Sequence, residues 1–187
     1  MILVTGFEPF GGLQRNPTGE IALALGGAVL PVDYERVGPA IRALLDRGPK
    51  AVLLLGLAVG QARIALERVA INFRDGLRPD NAGAVPQGSE VVPGGPAAYF
   101  STLPLDALHQ ALEERGLPVE YSLSAGAYLC NASFYLARHA LGTRPVPCGF
   151  VHMPPTPDLA CAAEPLPFER QLEAVQRMVA VLARAVP

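Results

Sequence analysis

The 187-residue chain has no cluster of lysine and arginine and no basic stripe, and its 15 basic and 17 acidic side chains leave a net charge of −2. Nucleic-acid binding needs concentrated positive charge to displace counterions from phosphates, so nucleic acid is not an expected partner. No apolar run reaches the roughly 20 residues that span a bilayer, and the chain enters an apolar strand at Met1-Ile2-Leu3-Val4 without a basic leader. These absences predict a cytoplasmic protein with no membrane partner. The three cysteines, 130, 148 and 161, are too few and odd in number for a disulfide framework, which agrees with a reducing compartment. Charged residues make up 17% of the chain, against about 25% in ordinary globular domains, and hydrophobic residues make up 50%. So little charge leaves surface for other subunits to cover, and an oligomer is expected.

The length fits a single domain, 1–187, large enough to bury a core. Apolar runs at 2–5 and 50–56 read as strands buried on two faces, with further strands at 29–37, 119–124 and 146–153. Asn16-Pro17 is a helix cap followed by proline at the first helical position, and Gly26-Gly27 stops that helix. Helical spacing recurs at 39–47, 103–115, after Cys130, and at 168–186, where Leu172, Val175, Val179 and Leu182 face inward. Residues 77–95, rich in Pro, Gly, Asn and Ser, read as a long functional or interface loop. Strands alternating with helices predict an α/β fold, an open twisted and mostly parallel sheet with helices on both faces.

Cys130 is the residue that most constrains function. It lies where the apolar stretch from Tyr121 to Leu129 gives way to a helix-like run beginning at Asn131. A thiol at a helix N-terminus meets unpaired backbone N–H groups and the positive end of the macrodipole, which favour the nucleophilic thiolate. His152 closes another apolar strand as a candidate base, and Glu67 is a candidate to orient its imidazole. Together the three suggest a cysteine hydrolase, with reactive groups beyond the carboxyl ends of the strands. Cys148 reads as inert packing, Cys161 as a loop cysteine able to meet another subunit, and His109 and His139 lack partners at metal-ligand spacing.

Four segments carry a resemblance that spans nearly the whole chain. They are Thr5-Gly6-Phe7-Glu8-Pro9-Phe10-Gly11-Gly12 with Asn16-Pro17; Glu67-Arg68-Val69-Ala70-Ile71-Asn72 with Pro79-Asp80-Asn81; Gly94-Gly95-Pro96-Ala97-Ala98-Tyr99; and Ser124-Ala125-Gly126 through Cys130-Asn131 to Phe134-Tyr135, followed by Gly149-Phe150-Val151-His152. In order and content they resemble the pyrrolidone carboxyl peptidases, also called pyroglutamyl peptidase I. The resemblance implies a Cys130-His152-Glu67 triad, removal of N-terminal pyroglutamate from peptides, an α/β sandwich, a cytosolic homotetramer, and no metal or organic cofactor. It also implies that Phe7 and Phe10 bind the lactam ring; Tyr128 and Leu129, just before the thiol, are further candidates for substrate contact. The chain departs from the family pattern at Leu57, where relatives carry a glutamine, at Gln61, where they carry an arginine, and at Leu77-Arg78, where their arginine is displaced by one position. Two other readings stay open: a thiol hydrolase of another small acyl amide, and a non-catalytic relative that binds a small molecule.

Overall fold

Leucine- and valine-rich runs buried on both faces form the middle of the sheet. Strands β3 (Ala51–Leu57) and β8 (Cys148–Met153) are buried at every position, as expected of strands with helices on either side. Around them the chain forms β1 (Ile2–Phe7), α1 (Pro17–Ala24), β2 (Ala28–Leu30), α2 (Val37–Leu45), β4 (Ile64–Glu67), β5 (Val69–Ile71), β6 (Ala98–Phe100), α3 (Leu105–Glu113), β7 (Val119–Ser122), α4 (Leu129–Leu141) and α5 (Phe168–Ala185). The computed structural model describes residues 1–76, 78–159 and 164–186.

Six strands form one sheet in the order β2-β1-β3-β8-β4-β7, and β5 and β6 form a separate antiparallel pair. All neighbours in the large sheet run parallel except β4 and β8, which are antiparallel. The fold is therefore α/β with a mostly parallel sheet, as the sequence implies. One face packs against α1, α3 and α5 through residues such as Leu53, Leu55, Val151, Leu108 and Met178. The other packs against α2 and α4 through Val52, Leu54, Phe150, Ile41 and Phe134.

Among the boundaries that differ from the sequence reading, two bear on the site. The strand expected at 29–37 stops at Leu30, because Pro31 cannot donate to the ladder and Asp33 Oδ1 accepts from the backbone N–H groups of Glu35 and Arg36, starting α2 early. The helix expected to begin at Asn131 begins at Leu129, which puts Cys130 in its first turn. Much of the loop at 77–95 is irregular as expected, with Asn72 holding it: its Nδ2 donates to the carbonyls of Val92 and Gly95, and its Oδ1 accepts from Val92 N–H. Gln171, fully buried on α5, donates to the carbonyls of Pro154 and Leu166 and so fixes the chain that leaves β8.

The connection from β1 to α1 is built with equal closeness. Asn16 Oδ1 accepts from both the backbone and the hydroxyl of Thr18, while its Nδ2 donates to Glu8 C=O. The Thr18 hydroxyl in turn accepts from Phe7 N–H. A Cβ on Gly6 would lie 2.0 Å from the Thr18 carbonyl oxygen, so only glycine lets the helix start touch the strand. Asn16→Ala removes the cap and strands buried donors, and is expected to cost about 1–2 kcal/mol in urea or guanidinium unfolding. A loss well under half a kcal/mol would show that the cap is dispensable.

Candidate active site

Strand direction brings His152 and Glu67 together. In the antiparallel β4–β8 pair, Ala65 lies opposite His152 and Glu67 opposite Phe150, so Glu67 and His152 are diagonal neighbours on one face. The Nδ1–H of His152 donates to Oε1 of Glu67 at 2.7 Å. Glu67 is completely buried and His152 is 7% exposed, so little water screens the pair. Phe150 packs against the imidazole with ring centroids 4.9 Å apart. With Nδ1 committed to the carboxylate, Nε2 is left free to face Cys130, which lines the same cavity and acts electrostatically on the imidazole.

Burial is the largest single influence and opposes a charged imidazole, but the Cys130 sulfur and Glu67 together outweigh it, raising His152 to about 10. Cys130 itself is half-buried at the second position of α4. The first backbone bond of that helix runs from Ala132 N–H to Tyr128 C=O, which leaves the earlier N–H groups at Leu129, Cys130 and Asn131 without an intrahelical acceptor. Such groups suit a developing oxyanion. Cys148, by contrast, is fully buried at the start of β8, where desolvation pushes its thiol up to about 12 and keeps it unreactive.

Cys130 and His152 open into a cavity of about 500 Å³, whose walls include Phe10, Leu57, Val59, Phe73, Asp75, Arg78, Ala127 and Tyr128. A narrower apolar recess beside it is lined by Phe7, Phe10, Val32, Leu57, Tyr128, Leu129 and Cys130. Phe10 and Tyr128 thus border both spaces, whereas Phe7 and Leu129 are core residues, 3% and 1% exposed, that touch only the recess. Tyr128 is set in place by its hydroxyl, which donates to Pro79 C=O, and by an edge-on contact with Tyr34. Among the described residues no three His, Cys, Asp or Glu side chains converge as a metal-binding group.

A model of the pyroglutamyl peptidase family matches residues 1–185. This chain belongs to that family. It is similar to a pyrrolidone-carboxylate peptidase of Deinococcus radiodurans at 41% identity, covering 99% of this chain and 93% of that protein. A Vibrio vulnificus pyrrolidone-carboxylate peptidase is 40% identical over 87% of this chain and 82% of its own length. Among solved structures, a pyrrolidone carboxyl peptidase from Thermus thermophilus aligns with a TM-score of 0.89 at 44% identity, covering 96% of this chain and 98% of that one. A mutant pyrrolidone carboxyl peptidase from P. furiosus aligns with a TM-score of 0.93 at 38% identity over 98% of both chains.

For a member of the pyroglutamyl peptidase family, the residues at which this chain departs from the usual pattern fall at informative places. Leu57 borders both the cavity and the recess and makes their shared wall apolar, and Arg78 lines the cavity. Gln61 does not line the cavity, and its buried Oε1 has no hydrogen-bond partner among the described residues. Leu77 and Cys161 lie outside the described residues. Phe73 and Asp75 were not legible as wall residues, since they follow the glutamate segment in a stretch without periodicity. Asn131 was also missed as a support. It is fully buried, accepts from Ile71 N–H, and donates to the carbonyls of Ile71 and Phe73, so it fastens that wall to the helix carrying Cys130.

The raised His152 value carries a pH consequence. A folded-state value above the ordinary 6.5 means that this pairing stabilises the protein fully below that pH, and that the contribution is lost as pH rises through about 10. In Cys130→Ala the strongest raising influence is gone, so the His152 ring titration followed by NMR is expected to move down from about 10. An unchanged midpoint would mean that the sulfur does not act on the imidazole.

Proposed function

We propose that the chain is a cysteine exopeptidase that hydrolyses the amide bond after an N-terminal pyroglutamyl residue. The observation that carries this reading is the buried Glu67–His152 pair, whose imidazole shares the lining of an apolar cavity with a half-buried Cys130. Pyroglutamate is a closed lactam with no ammonium group, so its recognition rests on flat apolar walls with a few backbone hydrogen bonds. Phe10, Leu57 and Tyr128 offer such walls, and Phe7 and Leu129 close the recess behind them. Asp75 and Arg78 lie in the same lining with opposite charges.

In the first half-reaction the Cys130 sulfur attacks the pyroglutamyl carbonyl carbon. The electron pair displaced onto oxygen is met by N–H groups at the start of α4. Collapse breaks the C–N bond, and His152 gives its proton to the departing amine, leaving a thioester. A water molecule then loses a proton to His152 and attacks the thioester, releasing pyroglutamate and restoring the thiol pair. Glu67 holds the imidazole in one orientation and tautomer and favours its charged form throughout.

The protein works in the cytoplasm, where a reducing environment keeps a half-buried nucleophilic thiol from oxidation. It is a homotetramer in this reading. Its low charge supports that state, as do the large apolar side chains left at the surface, among them Phe100, Leu123 and Val85.

Fluorogenic amides of pyroglutamate, proline and glutamate separate this reading from its rivals. Fluorophore release from the pyroglutamyl amide alone is expected; release from the others, or from none, would contradict it. Cys130→Ser and His152→Ala are each expected to lower kcat on the order of 10⁴-fold or more, and Glu67→Gln to cause the smallest loss of the three, because an orienting group costs less to remove than nucleophile or base. A Cys130→Ala protein with full activity would remove the nucleophile assignment.

A further inference from the structure

Gly56 lies near the end of β3, in parallel register with His152 on β8. Its φ is not among the positive values that some glycines of this chain adopt, so backbone conformation does not require glycine there. The space above it does. A Cβ at Gly56 would lie 2.9 Å from Cys130 Sγ and 2.6 and 2.9 Å from Cζ and Cε1 of Phe150. Carbon atoms pack at about 3.5–4.0 Å, and sulfur is larger, so neither neighbour could stay where it is. Phe150 has no room to retreat: it is fully buried, with Phe7 and Phe134 rings at centroid distances of 6.5 and 6.2 Å and His152 at 4.9 Å.

We infer that Gly56 is a positioning residue whose missing side chain forms the seat that holds the Cys130 sulfur against the sheet beside His152. The sulfur arrives from a helix, and its partner base is fixed in a strand. The distance between them is therefore set by how closely the first turn of α4 can approach the sheet surface. Phe150 fills one side of the seat and packs on the imidazole, so one aromatic ring bears on both reacting groups. A methyl group at position 56 would lift the sulfur away from His152 without touching the lactam recess, since Gly56 lines neither the cavity nor the recess.

This inference rests on the cysteine-hydrolase reading, and two of its readouts need no substrate, so failure of one can be told from failure of the other. In Gly56→Ala, kcat is expected to fall about a hundredfold, the size of effect that an ångström of misplacement produces, with KM changed by less than about threefold. The rate of Cys130 alkylation by iodoacetamide is expected to fall with it, and the His152 NMR midpoint to drop from about 10 towards 6.5 as the sulfur moves off. Near-parental kcat with an unmoved His152 midpoint would overturn the inference. Because the methyl also meets Phe150, the Gly56→Ala/Phe150→Leu double variant is compared with Phe150→Leu alone, which gives the ring's end room. The double variant is expected to fold like its parent yet remain slower in both turnover and alkylation. If it equals Phe150→Leu in both, the glycine serves ring packing and not the sulfur.

Discussion

A fully buried carboxylate, Glu67, with one oxygen 2.7 Å from His152 Nδ1, is the constraint to which the rest of the site conforms. Burying an ionisable pair is costly unless the partners meet well, and removing one member leaves the other stranded. The second oxygen, Oε2, has no hydrogen-bond partner among the described residues, so the His152 bond is the contact found there that offsets its burial. The reversal of direction between β8 and β4, with β7 following β4, makes the meeting possible. Opposed register places Glu67 and His152 diagonally on one face, at a separation that their side chains can close.

The site divides between a rigid layer and an adjustable one. The candidate base and carboxylate sit on strands that are themselves buried at every position, whereas the candidate nucleophile and the walls come from the start of α4 and from irregular segments. Those segments are tied down by side chains bonded to backbone. Asn131 holds the strand Val69–Ile71 and Phe73, Tyr128 holds Pro79, and Asp80 accepts from the N–H groups of Tyr34, Ala82 and Ala84. Glu8 Oε1 accepts from Val32 N–H and Asn81 Nδ2, linking the turn that bears Phe10 to the same loop. Chemistry thus depends on the sheet, and the shape of the cavity depends on a handful of polar clamps.

Fold class was legible because buried strands and amphipathic helices write different periods into the chain, and the Asn16-Pro17 cap marks its helix directly. The candidate reacting groups stood out for a different reason: a thiol, an imidazole and a carboxylate stand in segments shared with one family, and the structure pairs the carboxylate with the imidazole and sets imidazole and thiol in one cavity lining. What stayed hidden were contacts between segments. Nothing local to Gly56 says that a sulfur will rest on it, and Phe73 is tied to the Cys130 helix by a hydrogen bond from Asn131 that its own segment does not announce. Phe7 and Phe10 look alike in sequence, yet Phe7 is sealed into the core behind the recess while Phe10 borders both spaces. The early end of β2 was also missed, because Pro31 and Asp33 outweigh the β-branched residues around them.

The claim on which everything else rests is that Cys130, driven by His152, forms the covalent bond to the acyl group. Reaction with a pyroglutamyl chloromethyl ketone, followed by peptide mapping in a mass spectrometer, tests it in one step. One equivalent of label should sit on Cys130 alone, and His152→Ala should slow labelling sharply while leaving the fold intact. Label on Cys148 or Cys161 in place of Cys130, or equal labelling rates with and without His152, would show that the geometry described here is not the reacting one.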